Sequence, residues 1–189
     1  VQLLVERKHS IDQVLRPMLK DSNNLCAEAM FYQLAALSKR AYATHKDAAA
    51  QVQRVIAQCG LQPSDYLVAD GSGLSLYNYV SPELLVAMLR YAARSEETFT
   101  HLTTALPIMG RDGTLKSRCR RTPAQDNVRA KTGTVEGVSS LTGYAMAANG
   151  HRLCFAIINQ GVRTTTEGRR FQDAVCRALT EGFDTPHLR

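Results

Sequence analysis

Hydrophobic positions in the first third of the chain recur at helical spacing. Ile11, Val14, Leu15, Met18 and Leu19 follow Ser10, which forms a capping box with Gln13, so a helix starts at Ser10 and Pro17 is expected to kink it or end it early. A polar break at residues 20–24 precedes a second helical run over about 25–40. A third, over about 45–59, carries Val52, Val55, Ile56 and Cys59 on one stripe and stops at Gly60, a fitting C′ residue. Residues 66–69 read as a short strand entering Asp70-Gly71-Ser72-Gly73-Leu74-Ser75, whose glycines mark a tight loop. Ser81 and Pro82 supply the N-cap and N1 of a helix with Leu84, Leu85, Met88 and Leu89 buried, ending near Arg94, and a shorter helix follows over about 96–105.

Beyond residue 126 the period changes. Segments near 128–133, 140–147 and 152–160 are rich in strand formers, and Asn149-Gly150 between the last two is a strong hairpin signal, so three antiparallel strands follow in sequence order. A closing helix over about 166–182 is expected to turn Phe171, Val175, Ala178 and Leu179 to the sheet. The fold class is α+β: a helical part over about 10–126, then an antiparallel sheet and C-terminal helix over about 127–183, flanked by helices.

Composition adds limits. With 189 residues and 44% hydrophobic content, one domain is expected, burying roughly 70% of the surface its unfolded chain exposes, without a metal or disulfide to support the core. The longest apolar stretches, near 84–89 and 153–158, fall far below the ~20 residues that span a bilayer, so no transmembrane segment is expected. Val1-Gln2-Leu3-Leu4-Val5-Glu6-Arg7 opens in an apolar alternating segment with neither initiator Met nor signal peptide, and reads as a chain cut from within something longer. Cys26, Cys59, Cys119, Cys154 and Cys176 are widely separated and lack zinc-ligand spacing; free core thiols are expected, and neither a metal nor any other cofactor. The net charge of +6 is concentrated in Arg111, Lys116, Arg118, Arg120, Arg121, Arg129 and Lys131. Such a stretch is either a solvated loop or an attractor for nucleic acid, an acidic membrane surface or a small carboxylated substrate. No aromatic RNA-binding motif, zinc finger or basic heptad accompanies it, so nucleic acid is not the expected partner.

Two short motifs carry candidate chemistry. Lys131-Thr132-Gly133 ends a strand, which puts Lys131 and Gly133 on one face and Thr132 on the other, and Gly133 permits close approach. Alone, a strand lysine is usually solvated and a strand glycine usually a bulge. Ser22-Asn23-Asn24 lies between two helices, where Ser22 or Asn24 serving as an N-cap is a sufficient reading by itself.

Their order changes the picture. Ser22-Asn23-Asn24, Asp70-Gly71-Ser72-Gly73-Leu74-Ser75, Gly110-Arg111-Asp112-Gly113-Thr114-Leu115 and Lys131-Thr132-Gly133-Thr134 before an Asn-Gly hairpin resemble the penicillin-binding and serine β-lactamase superfamily, and more closely its peptidase family S13, the class C low-molecular-mass penicillin-binding proteins. The resemblance implies a β-lactamase/transpeptidase-like fold and a serine-type D-Ala-D-Ala carboxypeptidase/endopeptidase of the bacterial periplasm. Its implied partners are peptidoglycan peptides ending in D-Ala-D-Ala, and β-lactams.

The resemblance also implies roles. Ser22 would relay a proton to the leaving nitrogen, and Asn24 would donate to the substrate amide. Lys131 would attract the substrate carboxylate and hydrogen-bond Ser22, Thr132 would add a hydroxyl donor to that carboxylate, Gly133 would let the substrate strand approach, and the Thr134 N–H would form part of the oxyanion hole. Asp70, Gly71, Ser72 and Gly73 would be a structural loop near the site. The residues three before the lysines are Val5, Pro17, Ala36, Ala43, Gly113 and Val128, so the chain has no Ser-x-x-Lys nucleophile motif. In the family that motif lies upstream, which makes this chain the C-terminal part of the domain and an N-terminal segment of the same protein its expected partner. The alternative is a non-catalytic peptidoglycan-binding or interaction module of the same ancestry.

Overall fold

The computed structural model describes residues 4–181. Val1, Gln2 and Leu3 of the opening apolar segment, and Gly182 at the expected end of the last helix, lie outside the described residues.

Helix α1 (Ile11–Lys20) starts as its capping box requires: Ser10 Oγ accepts from the Gln13 N–H at 3.3 Å and Gln13 Oε1 accepts from the Ser10 N–H at 3.0 Å. Pro17 does not end it. Its carbonyl accepts the N–H groups of both Asp21 and Asn23, at 3.3 and 3.1 Å, and so organises the turn that follows. In that turn Ser22 takes φ 56°, the left-handed position usually held by glycine after a helix. Helix α2 (Asn24–Ala36) is capped by Asn23, whose side chain accepts from the Cys26 N–H at 3.0 Å, so neither Ser22 nor Asn24 is the cap. It stops four residues short of the expected 40, because 3₁₀-type bonds into Leu34, Ala35 and Ala36 tighten its end and Lys39 turns left-handed at φ 57°. Helix α3 (His45–Gln58) ends as expected at Gly60, φ 83°.

Residues 66–69 form no strand beyond a single bridge between Leu67 and Tyr79. Side chains take the neighbouring backbone groups instead: Gln53 Nε2 donates to the Tyr66 carbonyl at 3.0 Å and Asn78 Oδ1 accepts the Ala69 N–H at 2.8 Å. Helices α4 (Pro82–Ala92) and α5 (Glu96–Ala105) start at Ser81 and Ser95, whose hydroxyls accept from the N–H groups of Leu84 and Thr98.

Strands β1 (Arg129–Val135), β2 (Val138–Met146) and β3 (Arg152–Gln160) form an antiparallel sheet in that order, with Lys131 opposite Thr142, Gly133 opposite Ser140 and Leu141 opposite Ile157. The β1–β2 hairpin turns through Glu136-Gly137, with Gly137 at φ 70°. The Asn149-Gly150 hairpin uses a longer loop, because only Gly150 is left-handed, at φ 81°, and Ala147 pairs with His151 outside it.

Helix α6 (Thr165–Glu181) buries only part of the face expected, with Leu179 packed on the core and Val175 half-buried. Gly168, Gln172, Cys176 and Thr180, four residues apart, are turned inward, whereas Phe171 is 54% exposed and Ala178 is exposed. Polar bonding overrides apolarity here. Gln172 Nε2 donates to Ser139 Oγ at 3.0 Å and Asn159 Oδ1 at 3.1 Å, while Gln172 Oε1 accepts from Arg118 Nη2 at 3.1 Å. Gly168 lets α6 approach β2, since a Cβ there would stand 2.8 Å from that of Ser139.

The core between sheet and α6 contains Met109, Leu115, Ala124, Val128, Ala130, Leu141, Ala145, Phe155 and Cys176. The opposite face meets the helical part. Tyr144 donates to the Leu89 carbonyl at 2.7 Å, its ring packs edge-on against Phe99, and Arg129 Nη1 donates to the Thr103 carbonyl at 3.2 Å. The helices and Lys131 therefore share one face of the sheet.

Candidate active site

The turn after α1 and the strand β1 meet. Lys131 Nζ donates to Ser22 Oγ at 2.7 Å and to the Thr132 carbonyl at 2.7 Å. The lysine is half-buried between sheet and helices, and that burial pushes its pKa below the ordinary 10.5. Lys131 is thus neither a solvated strand lysine nor half of a salt bridge; among the described residues its ammonium contacts oxygens without charge. Asn24 is the exposed first residue of α2, and because Asn23 performs the capping, the side chains on either side of it are released from that task.

Alternation along β1 sorts the rest. Thr132 lies on the opposite face from Lys131, with Ala130 and the core. Its hydroxyl is 3.0 Å from that of Thr114. Gly133 faces Ser140, and a Cβ would run into the Ser140 hydroxyl, so this glycine is needed for cross-strand packing. The N–H of Ala130 points away from β2 and donates to the Pro107 carbonyl at 3.0 Å. By alternation the N–H groups of Thr132 and exposed Thr134 point to that same outer edge.

The Asp70 loop docks on α2 behind the turn. Asp70 accepts from the N–H groups of Gly73 and Ser75, both at 2.7 Å, and from Asn78 Nδ2 at 2.9 Å. Burial pushes the Asp70 carboxyl up, but these bonds outweigh it and hold the group below the usual carboxylate range. Glu28, one turn into α2, accepts the N–H groups of Gly71 and Ser72 at 3.3 and 2.9 Å. Gly71 has no room for a side chain, since a Cβ would stand 2.6 Å from the Cβ of Phe31.

Sequence reasoning assigned no role to Lys20, Asp112 or Thr114. Lys20 Nζ lies 2.6 Å from Asp112 Oδ2, and Asp112 Oδ1 accepts the Ile108 N–H at 2.8 Å. Burial raises the Asp112 pKa, yet the Lys20 and Ile108 bonds and the Lys20 charge bring it below the usual range. Lys20 and Asp112 are distant in sequence, so no spacing rule could pair them.

The free cysteines occupy varied depths. Only Cys176 is fully buried, and burial pushes both it and Cys119 up to about 12. Among the described residues no helix is long and apolar enough to cross a membrane, and no three His, Cys, Asp or Glu side chains converge as a metal site.

An antiparallel sheet flanked by helices on both faces, with a Ser-x-Asn turn reaching a Lys-Thr-Gly strand, defines a β-lactamase/transpeptidase-like fold; the TLA-3 extended-spectrum β-lactamase shares it with TM-score 0.62 at 14% identity. Within that class the chain belongs to the D-Ala-D-Ala carboxypeptidase 3 (S13) family, whose model matches residues 1–181. It is 32% identical over 156 residues to the D-alanyl-D-alanine carboxypeptidase DacB of Haemophilus influenzae, covering 82% of this chain and 32% of the relative. A D-alanyl-D-alanine carboxypeptidase of Actinomadura is also 32% identical, over 176 residues, covering 90% of this chain and 32% of that one. Among solved structures, penicillin binding protein 4 of Haemophilus influenzae, complexed with a β-lactam, superposes with TM-score 0.76 at 29% identity, covering 87% of this chain and 41% of its own. The chain spans about a third of the length of these curated relatives.

Proposed function

We propose that this chain is the C-terminal part of a periplasmic serine-type D-Ala-D-Ala carboxypeptidase/endopeptidase that acts on peptidoglycan and is acylated by β-lactams. The sheet and α6 with the helical part before residue 127 form one portion of its domain, and an upstream segment of the same protein supplies the Ser-x-x-Lys nucleophile. The observation that carries this reading is the 2.7 Å contact between Lys131 Nζ and Ser22 Oγ, which joins two family motifs 109 residues apart in sequence.

The geometry supports a division of labour. Lys131 donates into the Ser22 oxygen, which leaves the Ser22 hydroxyl to hand its proton to the departing nitrogen as the acyl-enzyme forms and to recover the proton that the attacking serine gives up. The Lys131 ammonium, without a carboxylate partner among the described residues, is available to the substrate's terminal carboxylate. Asn24 donates to the substrate amide. The substrate lies along the outer edge of β1, where Gly133 allows close approach, Thr132 adds its hydroxyl to the carboxylate and the Thr134 N–H faces the developing oxyanion. The loop from Asp70 to Gly73 fixes α2 behind Asn24 and takes no chemical part.

Acylation of the full-length protein by labelled penicillin tests this. Lys131→Ala should slow labelling sharply and Lys131→Arg less so, because a planar fork replaces a compact ammonium poorly. An unchanged rate in the Ala variant, or a wild-type protein that binds peptidoglycan but takes up no label, would favour the non-catalytic module instead.

A further inference from the structure

Thr114 is held more firmly than an exposed turn residue needs to be. It is the middle residue of the 3₁₀ turn Gly113–Leu115. Before it, Asp112 is fixed by Lys20 Nζ at 2.6 Å and the Ile108 N–H at 2.8 Å. After it, Leu115 is fully buried in the core and its carbonyl accepts the Gly110 N–H at 3.0 Å. Gly113 closes against the end of α1, where a Cβ would stand 2.6 Å from the Lys20 carbonyl oxygen. Three anchors thus aim one hydroxyl, and it lies 3.0 Å from the hydroxyl of Thr132. The same segment grips Lys20, two residues before Ser22.

We propose that Thr114 is a positioning residue for Thr132, and that Asp112-Gly113-Thr114 is a clamp coupling the Ser22 turn to the Lys-Thr-Gly strand. This rests on the reading of Thr132 as a carboxylate donor. Each hydroxyl can donate or accept. The two hydroxyls share one hydrogen bond in which either can be the donor. When an anion engages the Thr132 proton, Thr114 is the donor and points its own proton at the Thr132 oxygen. Thr132 then donates to the carboxylate without its oxygen losing a partner, and its rotamer is fixed before the ligand arrives. Each proton stays on its own oxygen throughout. Valine at 114 is close in shape but cannot donate, so Thr132 is left to order itself on binding.

The test is the rate of acylation by labelled penicillin in the full-length protein, with wild type, Thr114→Val, Thr114→Ser, Thr132→Val and the double Val variant. One net hydrogen bond corresponds to a fall of roughly two- to tenfold in Thr114→Val. Thr114→Ser should retain the wild-type rate. In the Thr132→Val background, Thr114→Val should cause no further loss, which a merely structural role would not produce. If the valine lowers the unfolding midpoint, Thr114→Ala removes the same hydroxyl and is read in its place. A Thr114→Val rate equal to wild type, or losses that add in the double variant, would overturn the clamp. Wild type that takes no label removes the underlying reading of the site, an outcome distinct from a labelled wild type with an indifferent Thr114.

Discussion

Ser22 occupies a backbone conformation that glycine would fill more easily, and the pair Ser22→Ala and Ser22→Gly separates its two burdens. Both variants lose the hydroxyl that accepts from Lys131 at 2.7 Å. They differ in backbone cost at φ 56°. Holding a residue with a Cβ in the left-handed region costs about 1–2 kcal/mol. Glycine escapes that cost but gives back about 0.4–1 kcal/mol through the greater freedom of its unfolded chain. The Gly variant should therefore be more stable than the Ala variant by about 1 kcal/mol, measured by urea denaturation with matched slopes. Acylation by labelled penicillin in the full-length protein should be lost equally in both. If serine is present only as turn material, Gly should equal or exceed wild type in labelling. An Ala variant as stable as the Gly variant, or either variant labelling at the wild-type rate, would refute the claim that this strain is kept for the hydroxyl.

Three further outcomes follow from the geometry. Burial lowers the Lys131 pKa below 10.5, so between the lowered value and 10.5 the unfolded chain binds more protons than the folded one and stability rises with pH. Wild type should gain on Lys131→Met over that window, and a pH-independent gap in unfolding free energy would count against it. Gly71→Ala drives a methyl into Ala27 and Phe31, which should cost about 1–3 kcal/mol on thermal unfolding; a neutral result would mean that α2 and the loop yield freely. The isolated 189-residue chain should form no covalent adduct with labelled penicillin and should be stabilised by an upstream segment pairing with the apolar outer strand β3; mass spectrometry that finds label on any of its serines would reveal another nucleophile.

Local rules read well where local forces decide. The capping box at Ser10, the Ser81-Pro82 start and the β3 boundaries follow from neighbours in sequence, and the structure keeps them. Residues 66–69 had strand composition, but Gln53 and Asn78, distant in sequence or across a turn, take neighbouring backbone groups. On α6 an apolar count favoured Phe171, whereas close approach at Gly168 and the bonds of Gln172 select the buried face. In the candidate site, Ser22 and Lys131 were legible because motif order named both. Thr114 and Asp112 stood inside a recognised motif without a role, since their partners Thr132 and Lys20 are reached only through tertiary folding.

That long reach governs when the site comes into being. Ser22 and Lys131 are 109 residues apart, and Lys20 and Asp112 are 92 apart, whereas α1, α2 and the two hairpins close over short stretches. Chain-closure entropy makes the distant contacts the more expensive to initiate, and they gain nothing until the helical part docks on the sheet. Helical circular dichroism should then recover on refolding before the Ser22–Lys131 contact does. A chain with full helical signal can still lack the Ser22–Lys131 contact, so formation of that contact, rather than recovery of ellipticity, marks the end of folding.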